Sequence, residues 1–549
     1  MKKLALENPY ASNFAKVVKV GLLTAVLAIS GCGGGKSSAS DPTVANTAQG
    51  TVRGSSQNGY VSFLGVPYAA PPVGALRWQP PAPAANRTLV LSATTTPAEC
   101  VQDLGNGVEG SEDCLYLNIY RPANSSQKNL PVLMYIHGGD LAFGAGAEFP
   151  GGALAANNDV VVVSINYRLN GFGFLAHPAL DAQSGGTSGA YGLLDQQAAM
   201  KWIKANIANF AGDPNNLTIF GQSSGADSVV AHIVSPLAAG LFAKAVVFSG
   251  GWYPNPPTLA EPETTGVSDA TAWGCPGTDA SALACLRALP ASTIVTASFP
   301  AGRDGFVPIV DNKVLTMAPS QAFATGQFNK VPLLSGNVRN EWSALTSYVG
   351  ATPVLTDADY ATTAATDLSA LSNPAVPASD ILSLYPISKY GNATQAYAAA
   401  YGDFRTICQQ LKTARAIGQY ETSNYFYEFS QQDVPSYATG LDPSFYPGTA
   451  PSWFGSFGDF HASDVQFWLG DFQAGTTPSA SNASLSTTMR AYLANFAAHG
   501  DPNGAGLPAW PTLSASPNTV LNLATPVAAG FDAATEHNCS YWGQYTLNF

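Results

Sequence analysis

The most chemically suggestive feature of the chain is a serine between glycines where an apolar run gives way to a helical pattern. Leu217-Thr218-Ile219-Phe220 reads as a strand, Gly221-Gln222-Ser223-Ser224-Gly225 follows, and Ala226, Val229, Val230 and Ile233 continue at helical spacing. With 53 glycines in the chain, a bare G-x-S-x-G is weak, and its place on a strand-to-helix turn is what sharpens it. Such a turn pushes the Ser223 hydroxyl outward, and the helix N-terminus behind it favours developing negative charge. A serine nucleophile also needs donors for an oxyanion and a general base. The strand-like run at 132–136 ends in His137-Gly138-Gly139-Asp140, a loop suited to offering backbone N–H groups. The donors would be Gly139, Asp140 and Ser224, and His137 itself reads as a structural imidazole.

A base placed after the nucleophile leaves His232, His461, His499 and His537. His232 falls inside the helix that follows the serine, where it would be packed or solvated. His499 reads as a helix C-terminal residue, and His537 lies two positions from Cys539 near the chain end. His461 follows the Gly- and aromatic-rich segment 454–460, which suits a base carried on a loop. Spacing alone leaves the choice open.

Positioning these groups falls to alternating elements. Buried strands are expected at 132–136, 160–165, 217–220, 245–248 and 331–334, with Tyr425-Phe426-Tyr427 and Phe429 in another. Between two of them, Ala199, Ile203, Ile207 and Phe210 follow helical spacing. Alternation of this kind argues for an α/β fold with a largely parallel sheet covered by helices. No repeat of 20–50 residues is visible and no linker follows residue 48, so 49–549 reads as one large domain.

Composition narrows the function classes. Aromatics make up 11% of the 549 residues, which argues against disorder. A formal charge of −12 without a Lys/Arg cluster argues against nucleic acid as a partner. At the N-terminus, Lys2, Lys3, Lys16 and Lys19 precede a mostly apolar run from Val20 to Ile29, too short for the ~20 residues of a spanning helix. The run ends in Ile29-Ser30-Gly31-Cys32, which resembles the lipobox of bacterial lipoproteins. That resemblance implies a signal peptide at 1–31, lipid on Cys32 and a flexible tether at 32–48. Gly33 after the cysteine points to the outer membrane, so an exported protein touching the membrane through its anchor alone is expected. A plain cleaved signal is the alternative. Setting Cys32 aside, Cys100, Cys114, Cys275, Cys285, Cys408 and Cys539 allow 15 pairings. The close pairs 100/114 and 275/285 are the simplest local choice and would leave 408/539. No C-x2-C spacing or neighbouring histidine suggests zinc, and no metal is expected.

Several segments together resemble the type-B carboxylesterases, the family of cholinesterases and bile-salt-type lipases. Phe63-Leu64-Gly65-Val66-Pro67-Tyr68-Ala69 and Pro72-Val73-Gly74-Ala75-Leu76-Arg77 look like its N-terminal signature. Glu112-Asp113-Cys114-Leu115-Tyr116-Leu117-Asn118 is nearly its second. Asn166-Tyr167-Arg168-Leu169, Gly192-Leu193-Leu194-Asp195-Gln196 and Ala211-Gly212-Asp213-Pro214-Asn215-Asn216 extend the likeness over almost the whole mature chain. The resemblance implies an α/β-hydrolase fold, a single large domain with long loop insertions, and a Ser-Glu-His triad. Its acid would be Glu341 in Gly336-Asn337-Val338-Arg339-Asn340-Glu341, which otherwise reads as a solvated loop glutamate. Its base would be His461, because Phe460-His461-Ala462-Ser463-Asp464-Val465 matches the family's histidine segment. The three cysteine pairs match the family's disulfides, and Trp252 becomes an acyl-pocket residue.

Two departures stand out. Gln222 replaces the usual glutamate before the nucleophile, and Asp140 replaces the third glycine of the oxyanion loop. A carboxylate close to an oxyanion would oppose catalysis, so Asp140 is expected to point away from it. The aromatics of 420–460, among them Tyr446, Trp453 and Phe454, suit a pocket for small to medium apolar or aromatic esters. The expectation is a cofactor-free monomer acting on a small-molecule ester. A lipase would need a lid that the sequence does not reveal, and a non-catalytic surface-binding lipoprotein would have no need of all three triad residues.

Overall fold

The computed structural model describes residues 41–103, 107–123, 128–297, 306–343, 356–435, 459–472, 476–514 and 519–547. The chain divides into two units, Met1–Asp41 and Pro42–Phe549, and the second holds the sheet and the candidate site. Cys32 and the signal-like run lie outside the described residues. Strand Val44–Thr47 pairs antiparallel with Gly50–Arg53, and the Ala48 N–H donates to Asn206 Oδ1 at 2.7 Å. The folded region therefore begins inside the segment expected as tether, because backbone pairing there outweighs its small polar composition.

An eleven-stranded sheet forms the centre. Seven neighbouring strands run parallel, in the order Thr519–Leu523, Asn424–Phe429, Leu333–Val338, Lys244–Phe248, Gly212–Gln222, Leu130–Ile136 and Val161–Ile165. Ala528–Asp532 closes one edge antiparallel, and Tyr116–Pro122, Tyr60–Pro67 and Ser55–Ser56 close the other. Two of the signature segments are thus edge strands. The inner strands Val161–Ile165, Lys244–Phe248, Leu333–Val338 and Asn424–Phe429 are buried at every residue. Burial on both faces is why they read as continuous apolar runs rather than alternations.

Successive residues of one strand serve opposite cores. Val132, Met134 and Ile136 pack beneath helices Tyr191–Asn206 and Ser224–Val234, whereas Leu133 and Tyr135 face a core shared with helix Ala480–His499. The strand before the serine begins earlier than its apolar run, at Gly212, and its register shifts between Gly212 and Leu217 to absorb the polar segment. The helix expected through Phe210 tightens into a 3-10 turn at Ile207–Phe210. Three disulfides join 100 to 114, 275 to 285 and 408 to 539, with Cα separations of 5.0, 5.5 and 5.2 Å. No helix among the described residues is long and apolar enough to cross a membrane.

Candidate active site

Ser223 stands directly after the C-terminal end of strand Gly212–Gln222, with φ 58° and ψ −132°. A non-glycine residue in that region is strained, and such strain concentrates at functional positions where the surroundings fix it. Here the Ser223 N–H donates to the Phe248 carbonyl at 3.0 Å, and helix Ser224–Val234 starts at once. The glycines of the motif are required by space. A Cβ on Gly221 would run into the Gly225 carbonyl, and one on Gly225 into the carbonyls of Ile136 and His137. The turn is therefore jammed against the end of strand Leu130–Ile136, where the candidate oxyanion loop begins.

That loop turns through positive φ at Gly139, Asp140 and Leu141, at 99°, 55° and 57°. It lies so close to the candidate nucleophile that a Cβ on Gly138 would sit 3.0 Å from Ser223 Cβ. The Leu141 N–H donates to Ser224 Oγ at 3.0 Å, tying loop to elbow. Further along, Gln102 clamps Gly144 with two bonds, accepting from its N–H at 2.7 Å and donating to its carbonyl at 3.2 Å. His137 has the structural role its position suggested. Its ring stacks on Tyr167 at 4.4 Å, its Nδ1 bonds to the Gly138 carbonyl at 2.8 Å, and burial pushes its pKa down to about 4. A neutral, enclosed imidazole pins the loop and takes no proton at neutral pH. The Asp140 side chain is exposed.

Glu341 and His461 are 120 residues apart in sequence and meet through two loops beyond the C-terminal ends of neighbouring strands. The Glu341 carboxylate is buried, accepts from the Val338 N–H at 3.1 Å and lies 2.5 Å from His461 Nδ1. Asp459 stitches the loops together. It accepts from Asn340 Nδ2 at 2.5 Å and from the Arg339 N–H at 3.2 Å, while its own carbonyl accepts from the Asn340 N–H. Nothing in the sequence singled out Asp459 or Asn340, although they adjoin residues that were singled out. Among the described residues, the hydrogen bond to His461 Nε2 comes from the Gln222 side chain at 3.0 Å, not from Ser223 Oγ. Catalytic hydrogen bonds are often long before substrate binds.

Trp252 lies against this cluster, its ring 5.2 Å from that of His461 and 6.2 Å from that of Trp342. Its backbone is fixed by Asp227, a residue the sequence reading passed over. Asp227 Oδ1 accepts from the N–H groups of Gly251 and Trp252 at 2.7 and 2.8 Å. Burial raises the Asp227 carboxyl to about 7 against the pull of those two donors. Tyr446, Trp453 and Phe454 lie outside the described residues.

The other three candidate histidines occupy other places. His232 is buried in its helix, bonded to Gln196 Oε1 at 2.7 Å, with its pKa pushed by burial to about 3. His499 ends helix Ala480–His499 and is exposed. His537 is held between Asp403 and Glu428 at 2.6 Å each. The signature pair Arg168 and Asp195 forms a buried ion pair at 2.7 Å that braces the helix beneath the sheet. Among the described residues, no group of three or more His, Cys, Asp or Glu is arranged to hold a metal ion.

Comparison with known proteins bears on the family and the fold. Residues 41–542 match the model of the carboxylesterase family. Acylcarnitine hydrolase of Rattus norvegicus is 33% identical over 519 residues, covering 87% of this chain and 87% of that protein. Fumonisin B1 esterase of Sphingopyxis macrogoltabida is 34% identical over 480 residues, covering 85% and 84%. Cocaine esterase of Homo sapiens is 33% identical over 518 residues, covering 88% and 87%. A solved PNB esterase superposes with a TM-score of 0.74 at 28% identity, covering 91% of this chain and 99% of that one.

Proposed function

Because the chain belongs to the carboxylesterase family and is a carboxylic ester hydrolase, we propose that Ser223, Glu341 and His461 are its catalytic triad. The N–H groups of Gly139, Asp140 and Ser224 form its oxyanion hole. The observation that carries this reading is the buried Glu341–His461 contact of 2.5 Å beside a serine held at φ 58°. His461 Nε2 takes the Ser223 proton as Oγ attacks the ester carbonyl, and the carbonyl electron pair moves onto the oxyanion. Glu341 orients the ring and stabilises the imidazolium. Collapse of the tetrahedral adduct breaks the bond to the alcohol oxygen, which leaves with the proton from Nε2. Water then repeats the two steps on the acyl-enzyme.

For the substrate, the reading is a small to medium ester with an apolar or aromatic acyl group, handled by the enzyme as a monomer. Trp252 supports it, since its indole lies beside the base where an acyl group would enter. The relatives named above act, by their names, on acylcarnitine, fumonisin B1 and cocaine, so the ester bond is their common denominator. A panel of nitrophenyl esters of increasing acyl length tests the assignment. An optimum at short or medium chains supports it, and a long-chain optimum replaces it with lipase action. Cys32 would carry lipid and hold the enzyme at the bacterial outer membrane. Incorporation of labelled palmitate that disappears in Cys32→Ala supports the anchor, and undiminished labelling refutes it.

A further inference from the structure

Gln222 places an amide, rather than a charged or apolar group, against the proton-accepting nitrogen of the proposed base. The side chain is buried, and its Nε2 lies 3.0 Å from His461 Nε2. Which atom donates follows from the other side of the ring. Glu341 accepts the Val338 N–H on Oε1 and presents Oε2 to His461 Nδ1. A carboxylate only accepts, so Nδ1 carries the proton and Nε2 of the neutral ring carries a lone pair. The Gln222 N–H therefore donates to that lone pair. The reversed amide would set Oε1 against it, acceptor to acceptor.

This bond exists in only one protonation state of the base. Once Nε2 is protonated, two N–H donors face each other, so the amide stabilises the neutral ring at the expense of the imidazolium. Other groups face His461 as well. Glu341 faces it from the loop after strand Leu333–Val338. Asp464, on the histidine's own loop, is electrostatically linked to it and is fixed by Tyr427 Oη at 2.6 Å and Trp468 Nε1 at 3.2 Å. Trp252, from the segment after strand Lys244–Phe248, contributes an uncharged ring.

We propose that Gln222 is a working partner of the base, capping the Nε2 lone pair of neutral His461 in the resting enzyme and yielding it to Ser223 Oγ–H when an ester binds. Gln222 makes and breaks no covalent bond. In the step it prepares, the Oγ–H bond breaks, the proton moves to Nε2, and Oγ bonds to the ester carbon.

The inference rests on the triad assignment above, and its test separates the two. The pH dependence of kcat/KM on a nitrophenyl ester is compared for the parent, Q222E and Q222M. In parallel, the pKa of His461 in the free enzymes is read by 15N NMR, with the resonance assigned by its loss in His461→Ala. Q222E should move the acid limb and the NMR pKa up by about 1 unit or more, as an adjacent anion does. Q222M, which removes the donor without adding charge, should move both up by a smaller amount. Values in Q222M that are unmoved or shifted downward overturn the proposal, whatever Q222E does and even if His461→Ala is inactive. An active His461→Ala would instead overturn the triad on which it rests.

Discussion

His461 and His537 both contact a buried carboxylate through Nδ1, at 2.5 Å to Glu341 and 2.6 Å to Asp403. They differ at the other nitrogen. His537 Nε2 meets a second carboxylate, Glu428, at 2.6 Å, whereas His461 Nε2 meets the neutral Gln222 amide. Burial alone would lower the pKa of His537, but the flanking carboxylates overcome it and lift it to about 10. A ring fixed as imidazolium across the neutral range has no lone pair to accept a proton, so His537 cannot serve as a base. It works as a rivet. Glu428 sits in strand Asn424–Phe429 and also faces Arg339 at 3.5 Å, while Arg339 reaches Glu536 at 2.9 Å. The Cys408–Cys539 disulfide closes the same region. A carboxylate on one nitrogen orients a histidine for chemistry, and carboxylates on both remove it from chemistry.

Substitutions can break that contrast. Ser223→Ala should lower kcat by about 10⁶, the scale seen when a triad is disabled, measured as nitrophenyl ester turnover. A variant with near-full activity would remove Ser223 from the mechanism. Glu341→Gln retains the shape of the acid but lets the ring adopt the wrong tautomer, and kcat should fall by roughly 10⁴. His537→Gln should leave kcat of the folded enzyme within a few-fold of the parent. It should instead lower unfolding stability by about 3–5 kcal/mol in denaturant titrations, because buried Asp403 and Glu428 lose the imidazolium between them and Glu428 is left facing Arg339 alone. If His537→Gln abolished turnover while stability held, the division between rivet and base would be wrong.

The rivet also has a pH signature. Its folded-state pKa of about 10 lies above the ordinary histidine value of about 6.5. The stabilisation is therefore fully present below about pH 6.5 and is lost as pH rises through about 10. Urea unfolding of the parent should show this decline, and His537→Gln should show a flatter profile over the same window.

These two histidines also show which parts of the site can be read from sequence. The proposed nucleophile is legible because strand, turn and helix are contiguous, so Gly221–Gly225 carries its own context. The candidate oxyanion loop is legible for the same reason, as a loop at a strand end. His461 stood out by its aromatic loop but was not separable from His499 or His537 by spacing, and Glu341 became distinct only through the family's pattern. What joins them is invisible along the chain. Asn340 and Asp459 lie 119 positions apart, and His537 and Asp403 134 apart. Only the parallel register of Leu333–Val338 with Asn424–Phe429 brings the two loops together. Buried polar residues such as Asp227 escaped notice because nothing local marks a carboxylate whose partners are backbone N–H groups beyond the next strand.

The most direct test of the central claim is to trap the acyl-enzyme. Rapid acid quench of the enzyme turning over a nitrophenyl ester, followed by peptide mass mapping, should place one acyl group on Ser223. The adduct should be absent from Ser223→Ala and accumulate far more slowly in His461→Ala. Turnover with no acyl group on Ser223, or with the acyl group reproducibly on another residue, would contradict the account.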